Sequence, residues 1–510
     1  MTEPDKKIHR RRILATVILL LGNILFYLTL FLLSKYDKFS FDQFLFQLKS
    51  SSEGVHRSLA GSAAVRVGLF SVVTTACECL LYLFVSGDLK NRVIHKEKYD
   101  AYATSKFSQF FSNRSLGLSI VVLITCLTIF ISQLNVVTYV DTVSTPSDFI
   151  EGHYVDPGTA NITFPKQKRN LIYIFLESME NTFADPAAGG LITKNFIPEL
   201  SQLAEDHINF SHTDGVGGAY SFNGTTWTAS AMVAQTSGMP VKVSLVAQDV
   251  YGADEVFLPG VVSIGEILRK QGYQQTLLVG SDAKFHGREP YFTLHGAYDI
   301  VDTVSLKEEG RLPKDYSEWW GFEDEKLFSF AKEELTRLAA SDEPFNLTML
   351  TADTHFPDGY TCRLCKEEHE RQYANVLSCS SRQVMEFIKW IQAQSFYENT
   401  TIIISGDHLS MDSAFLDDVN ETYTRTVYNC IIHSAVTPQK EKNREFSTMD
   451  MYPTTLAAIG ATIEGERLAL GTNLFSKEPT LTEQYGYQAL DVELQKKSEF
   501  YNTRFLGMEE

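Results

Sequence analysis

Residues 401–408 read Thr401-Ile402-Ile403-Ile404-Ser405-Gly406-Asp407-His408. Four β-prone residues predict a buried strand, and Gly406 ends it. A carboxylate and an imidazole follow at once, and both are good ligands for a divalent cation. In open α/β sheets, ligands collect outside the carboxyl ends of the strands. An Asp-His pair at such an end therefore stands where chemistry happens, provided other parts of the chain supply partners.

The surrounding pattern supports an α/β sheet. Leu171 to Leu176 (LIYIFL), Thr276 to Val279 and Phe345 to Leu350 read as further strands. Ile264 to Gln271 reads as a helix closed by Gly272. Tyr373, Val376, Leu377, Val384, Phe387, Ile388 and Ile391 recur at helical spacing, predicting a long amphipathic helix. Strands alternating with helices imply a central, mainly parallel sheet covered on both faces.

The N-terminal third is different. Residues 1–139 carry 16 Lys/Arg against 9 Asp/Glu, a net of +7, and the rest carries 29 against 54, a net of −25. So acidic a remainder repels a phosphate backbone, which excludes nucleic acid as a partner. An anionic substrate must be captured locally, by a metal or a few arginines.

Three stretches are long and apolar enough to cross a membrane: about 13–33, 67–85 and 115–140. The first exceeds the h-region of a signal peptide, and no small-residue cleavage site follows it. Lys6, Lys7, Arg10, Arg11 and Arg12 precede it, placing the N-terminus in the cytoplasm. Lys90, Arg92, Lys96, Lys98, Lys106 and Arg114 keep the loop between the second and third spans on the same side. Everything after about residue 140 then lies outside the cell membrane, in a multi-pass protein. Glu78, inside the second span, is expected to be buried against Arg66 or a neighbouring helix. The amphipathic stretch Phe39 to Leu48 is expected to rest at the membrane surface. The expected organisation is a membrane anchor at 1–140, a linker at 141–168 with Pro146, Pro157 and Pro165, a catalytic domain at 169–480, and a tail at 481–510.

Cys77, Cys79 and Cys126 fall in the spans and read as apolar filler. Cys362 and Cys365 form a CxxC that lacks the second Cys or His pair of a zinc site, so a disulfide is the better reading. Cys430, in an apolar run, reads as a buried free thiol.

Company for Asp407 and His408 comes from two places. The strand ending at Leu176 runs into Glu177-Ser178-Met179-Glu180, which puts a carboxylate at a second strand end. Asn223-Gly224-Thr225-Thr226-Trp227-Thr228 then leads into a predicted helix. Alone, Glu177 is a dipole-favoured acid and Thr228 an N-cap. Beside a metal, the Thr228 hydroxyl becomes a nucleophile, and helix amides can hold a phosphate oxygen.

The order strand-Glu, helix-opening Thr, strand-Gly-Asp-His resembles the alkaline-phosphatase/sulfatase superfamily. Within it, the chain is similar to the membrane-anchored phosphoglycerol transferases and lipoteichoic acid synthases. NGTTWTASAMVAQTSGMPV and SGDHLSM look like segments of the phosphoglycerol transferases that act on periplasmic glucans. FSTMDMYPTTLAAIG with GERLALGTNLF resembles the superfamily's C-terminal signature. The resemblance implies a sulfatase-like fold preceded by about three transmembrane helices. It implies that Glu177, Thr228, Asp407 and His408 hold one divalent cation, Mn²⁺ by preference with Mg²⁺ or Zn²⁺ open, and that Thr228 is the nucleophile. His355, in ADTHFP, matches a substrate-contacting histidine that moves protons. Arg288 aligns with a substrate-binding arginine, and His286 beside it is a further contact. Cys362 and Cys379 match a cysteine pair, implying a disulfide that leaves Cys365 aside.

The activity so implied moves glycerol phosphate from phosphatidylglycerol to an extracytoplasmic glycan or teichoic-acid-like acceptor through a phosphothreonine, releasing diacylglycerol. Phosphoethanolamine transfer is the alternative. A sulfatase or phosphodiesterase hydrolase fits less well, because Thr228-Ala229-Ser230-Ala231-Met232 lacks the Cys/Ser-x-Pro-x-Arg needed to make formylglycine. A catalytically dead scaffold is disfavoured because all four ligand positions are filled.

Overall fold

The computed structural model describes residues 3–35, 41–50, 61–85, 106–244, 251, 256–412, 414–417 and 422–508. It divides into two compact units, Met1–Phe41 with His56–Val140, and Asp42–Val55 with Asp141–Glu510.

Among the described residues of the first unit, three helices are long and apolar enough to span a membrane: Arg10–Ser34, Gly61–Phe84 and Arg114–Gln133. The third is shorter than the 115–140 expected. Asn135 takes a positive φ of 50°, and a separate helix, Val136–Ser144, begins beyond it. Glu78 accepts a bond from Asn23 Nδ2 at 2.8 Å, so its partner is the neighbouring helix rather than Arg66.

The second unit is built on a six-stranded sheet. Its strands are β1 (Asn170–Leu176), β2 (Gln274–Val279), β3 (Asp299–Val301), β4 (Phe345–Leu350), β5 (Thr400–Gly406) and β6 (Asn429–Ile432). They lie in the order β3-β2-β4-β1-β5-β6, parallel except for β6, which is antiparallel to β5. Every residue of β1, β4, β5 and β6 is buried. That is why β1 carries the unbroken apolar run Leu171–Leu176 and β5 the run Ile402–Ile404, while β4 buries Asn346 and Thr348 among its apolar residues. Ile172, Ile174 and Leu176 face a core completed by the helices Asp324–Leu338 and Gln372–Gln392. Tyr173 points the other way and donates its hydroxyl to Gln235 Oε1, on the helix Thr228–Ser237, at 2.8 Å.

Register sets the site. Leu176 pairs with Gly406, and Phe175 pairs with Leu350. The residues that follow, Glu177, Thr351 and Asp407, therefore leave the central strands side by side at one edge.

Three outer segments differ from expectation. The stretch expected as a linker is stitched to the C-terminal half: Ile162 pairs with Ile463, Val155 bridges Ala469, and Ile150 is buried. The C-terminal stretch forms the helices Leu481–Tyr485, Tyr487–Gln495 and Glu499–Leu506, with Leu490, Leu494, Tyr501 and Phe505 in the core. The helix Phe41–Lys49 belongs, from Asp42 onward, to the second unit. Its Phe46 is fully buried, 5.0 Å from Trp227 and 5.4 Å from His286 between ring centres. The centre of the apolar stripe that predicts a surface anchor is thus spent on protein, while Leu48 stays exposed.

Candidate active site

Four side chains meet at the carboxyl edge. Glu177 leaves β1 through Ser178, whose φ of 54° turns the chain sharply. Its backbone N–H donates to Thr351 Oγ1 at 2.9 Å, and its carbonyl accepts from Thr354 Oγ1 at 2.6 Å. The second acid of that stretch, Glu180, goes elsewhere and accepts from Arg425 Nε at 3.0 Å. Thr228 is the first residue of its helix rather than the cap. Trp227 holds the cap position, and its N–H donates to Ser230 Oγ at 3.2 Å. That leaves the Thr228 hydroxyl to donate to Glu177 Oε2 at 3.1 Å, with His408 Nε2 at 3.4 Å.

Asp407 Oδ1 accepts from the backbone N–H groups of Ser178 and His408, both at 2.7 Å. Gln235 Nε2 steadies the turn by donating to the carbonyls of Gly406 and Asp407. Asp407 Oδ2 is buried with no hydrogen-bond partner, 3.4 Å from His408 Nε2. His408 Nδ1 lies 2.8 Å from the carbonyl of Leu409, which can only accept, so Nδ1 carries the proton and Nε2 keeps a lone pair. Glu177 Oε1 is 3.5 Å from that same nitrogen.

A ligand atom from each of Glu177, Asp407 and His408 falls within 4.8 Å of the others, all buried. Burial, then the neighbouring Glu177, pushes the Asp407 carboxyl far above the usual carboxylate range. Burial also acts upward on Glu177, but His355 and His408 hold it below its ordinary value. An orphaned carboxylate oxygen, a second carboxylate and an unprotonated imidazole nitrogen around a hydroxyl form a donor set that fits a divalent cation, with oxygen and nitrogen ligands of the kind Mn²⁺ or Mg²⁺ accepts.

A cavity beside Thr228 is lined by Glu177, Arg288, His286, His355, Phe285 and Trp320. Arg288 is buried and fastened by Nε to the Phe285 carbonyl and by Nη2 to Ser281 Oγ and the Asp282 carbonyl. Those bonds orient the guanidinium while leaving Nη1 out of them. Burial lowers its pKa to about 10, with Glu177 the leading opposing influence, and it stays a cation at neutral pH. His286, at a positive φ of 55°, is pushed down to about 3 by burial and then by Arg288, so it is neutral. His355 sits between Phe356 and Trp320, with ring centres 4.8 and 4.7 Å away, and Nδ1 bonds the Phe356 carbonyl at 2.6 Å.

All the residues expected at the site, Glu177, Thr228, Arg288, His286, His355, Asp407 and His408, thus border one cavity or its floor. Sequence reasoning missed Trp320, Thr351, Gln235 and Phe46. The Trp319-Trp320 pair in a polar loop was the one available signal, since indoles in loops tend to meet ligands or partners. Cys362 and Cys379 also meet, at 3.7 Å, but with no bond between them, and Cys365 is not left aside: it lies 3.6 Å from Cys362. Cys430 is a buried free thiol.

Among known proteins, phosphoglycerol transferase I of Salmonella choleraesuis (strain SC-B67) is 30% identical over 331 residues, covering 64% of this chain and 41% of that protein. Its counterpart in Salmonella typhimurium LT2 is 30% identical over 315 residues, covering 60% and 39%. The chain therefore spans about two-fifths of the length of these curated relatives. Among solved structures, the lipoteichoic acid synthase LtaP of Listeria monocytogenes aligns with TM-score 0.48 at 16% identity, over 64% of this chain and 80% of that one. The lipooligosaccharide phosphoethanolamine transferase EptA of Neisseria meningitidis aligns with TM-score 0.49 at 14% identity, over 88% and 83%. The family model described as Sulfatase matches residues 169–461, from the start of β1 past the Asp-His pair, and by that match the chain belongs to the sulfatase family of the alkaline-phosphatase superfamily.

Proposed function

We propose that this protein is a membrane-bound transferase that moves glycerol phosphate from phosphatidylglycerol to a glycan or glycerophosphate acceptor outside the cytoplasm. The observation that carries this reading is the Thr228 hydroxyl, free of capping duty and 3.1 Å from Glu177 Oε2, beside a buried arginine in one cavity. The 30% identity to phosphoglycerol transferases supports the choice of headgroup.

In the first half-reaction, Thr228 Oγ1 gives its proton to Glu177 Oε2 and forms a bond to the headgroup phosphorus, and the bond from phosphorus to the diacylglycerol oxygen breaks. His355 donates a proton to that departing oxygen. In the second, an acceptor hydroxyl attacks the phosphothreonine and its proton passes to His355, while the bond from phosphorus to Thr228 Oγ1 breaks and that oxygen takes its proton back from Glu177. Arg288 offsets charge on the phosphoryl oxygens throughout, and the neutral His286 can donate one hydrogen bond there. Glu177, Asp407, His408 and Thr228 would hold the divalent cation, which supplies Lewis-acid activation of the hydroxyl and neutralises phosphoryl charge. A lipid donor accounts for the three apolar N-terminal helices, and the basic residues flanking them support an orientation with the catalytic unit outside.

The test is to incubate wild type and Thr228→Ala with labelled phosphatidylglycerol and Mn²⁺. Wild type should release diacylglycerol and acquire the mass of glycerol phosphate on Thr228; the variant should do neither. Equal release by both overturns the nucleophile. Release only from phosphatidylethanolamine, with a phosphoethanolamine adduct, transfers the reading to that headgroup.

A further inference from the structure

Away from this cavity, the chain after β4 and the helix Gln372–Gln392 bring three thiols together. Cys362 Sγ lies 3.6 Å from Cys365 Sγ and 3.7 Å from Cys379 Sγ, and the three sulfurs all fall within 4.8 Å of one another. A tetrahedral centre with zinc–sulfur bonds of ~2.3 Å has sulfur–sulfur edges of ~3.8 Å. Both of these sulfur–sulfur distances suit that figure.

The surroundings favour sulfur in its ionised form. Cys365 N–H donates to the Cys362 carbonyl at 3.1 Å, closing a tight turn. Gln383 Nε2 donates to Cys379 Sγ at 3.5 Å and lies 3.9 Å from Cys362 Sγ. Donors converging on sulfur stabilise a thiolate over a thiol. Yet Cys362 and Cys379 are buried, and a buried group of anionic sulfurs is costly without a cation among them. Among the described residues no histidine or carboxylate joins the three, so a fourth ligand position is open to water on the side of the half-buried Cys365.

We propose that Cys362, Cys365 and Cys379 bind one thiophilic d¹⁰ cation of the Zn²⁺ class as three thiolates, releasing three protons, with water as the fourth ligand. The bound ion fastens the segment that carries His355 to the helix that carries Cys379. It is a second metal centre, independent of Glu177, Asp407 and His408 and of the transferase reading.

The experiment uses the full-length protein in detergent, in an Asp407→Asn background that disables the other candidate centre. Elemental analysis should find about one zinc per chain. Cobalt substitution should give a thiolate-to-cobalt charge-transfer absorption. Cys362→Ser should abolish both. Cys365→Ser, at the least buried sulfur, should keep the native circular dichroism while weakening zinc at least tenfold. The proposal is overturned if folded Cys365→Ser holds zinc as tightly as its parent. It is equally overturned if peptide mass spectrometry on protein isolated without reductant finds two of the three cysteines disulfide-bonded and no zinc.

Discussion

His408 donates its Nδ1–H to the carbonyl of Leu409 at 2.8 Å, and that bond decides what the other ring nitrogen offers. Nε2 is left with a lone pair, beside Asp407 Oδ2 at 3.4 Å and Thr228 Oγ1 at 3.4 Å. A carboxylate oxygen without a donor and a ring nitrogen with a lone pair both want the same thing, a positive charge between them.

Cation binding should therefore stabilise the fold as well as switch on catalysis. Chelation should abolish headgroup release, and Mn²⁺ at a hundred times its Kd should raise the unfolding free energy by about 2.7 kcal/mol. Calorimetry with and without Mn²⁺ checks this; a melting temperature indifferent to the ion sinks it. Asp407→Asn should remove the response while leaving the chelated protein at least as stable, because it relieves the crowding of two buried carboxylates.

Arg288→Lys should keep a positive charge and still fail. A lysine cannot reproduce the bonds to Phe285, Ser281 and Asp282 that orient the guanidinium. Losing one oriented donor costs about 10²–10³ in kcat. Steady-state release of diacylglycerol measures it, and a loss of less than tenfold would remove Arg288 from the phosphate-binding role.

His355→Gln should slow both half-reactions by about 10²–10⁴, the range for a lost general acid–base group. Donors with an acidic leaving group, such as nitrophenyl phosphodiesters, need no protonation, so their release of nitrophenol should fall much less. A uniform fall across leaving groups would assign His355 to binding instead.

A pH effect should arise behind the site. Asp324 and Asp353 are buried side by side: Asp324 Oδ2 accepts the Asp353 N–H at 3.1 Å, and Asp353 Oδ2 has no partner. Burial raises Asp324 to about 7, and burial with the neighbouring Asp324 raises Asp353 to about 10. The folded state thus binds more protons than the unfolded one above the ordinary aspartate range. Stability should be complete at acid pH and fall as pH rises through about 7, by up to ~1.4 kcal/mol per pH unit for each proton held. Asp353→Asn keeps the Oδ1 acceptor for the Asp324 N–H and supplies a neutral group at the orphan oxygen, so it should flatten this slope. Denaturant melts between pH 5 and 8 decide the matter, and an unchanged slope counts against the pair.

Much of this architecture was legible in the chain because it depends on near neighbours. The continuous apolar runs of β1 and β5 announce strands covered on both faces, and Glu177 and Asp407-His408 stand directly at their ends. What stayed hidden depends on which loops meet across those ends. Thr351 supports Glu177 only because β4 lies beside β1, and Gln235 reaches the Gly406 carbonyl only because its helix crosses that edge. The acids Asp324 and Asp353 are twenty-nine positions apart and look like any two surface carboxylates until packing buries both. The proline-bearing stretch at 141–168 read as a linker because its pairing partners, Ile463 and Ala469, lie some three hundred residues downstream.

The burial of Phe46 bears on how this protein can be dissected. A secreted fragment beginning at residue 141 would contain every strand and every candidate catalytic residue, yet lack the ring that covers Trp227 and contacts His286. Such a fragment would present a bare aromatic hollow next to its nucleophile, a sticky and locally loosened surface. Supplying residues 41–49 in trans as a peptide, or fusing them through a short linker, is the natural way to restore it.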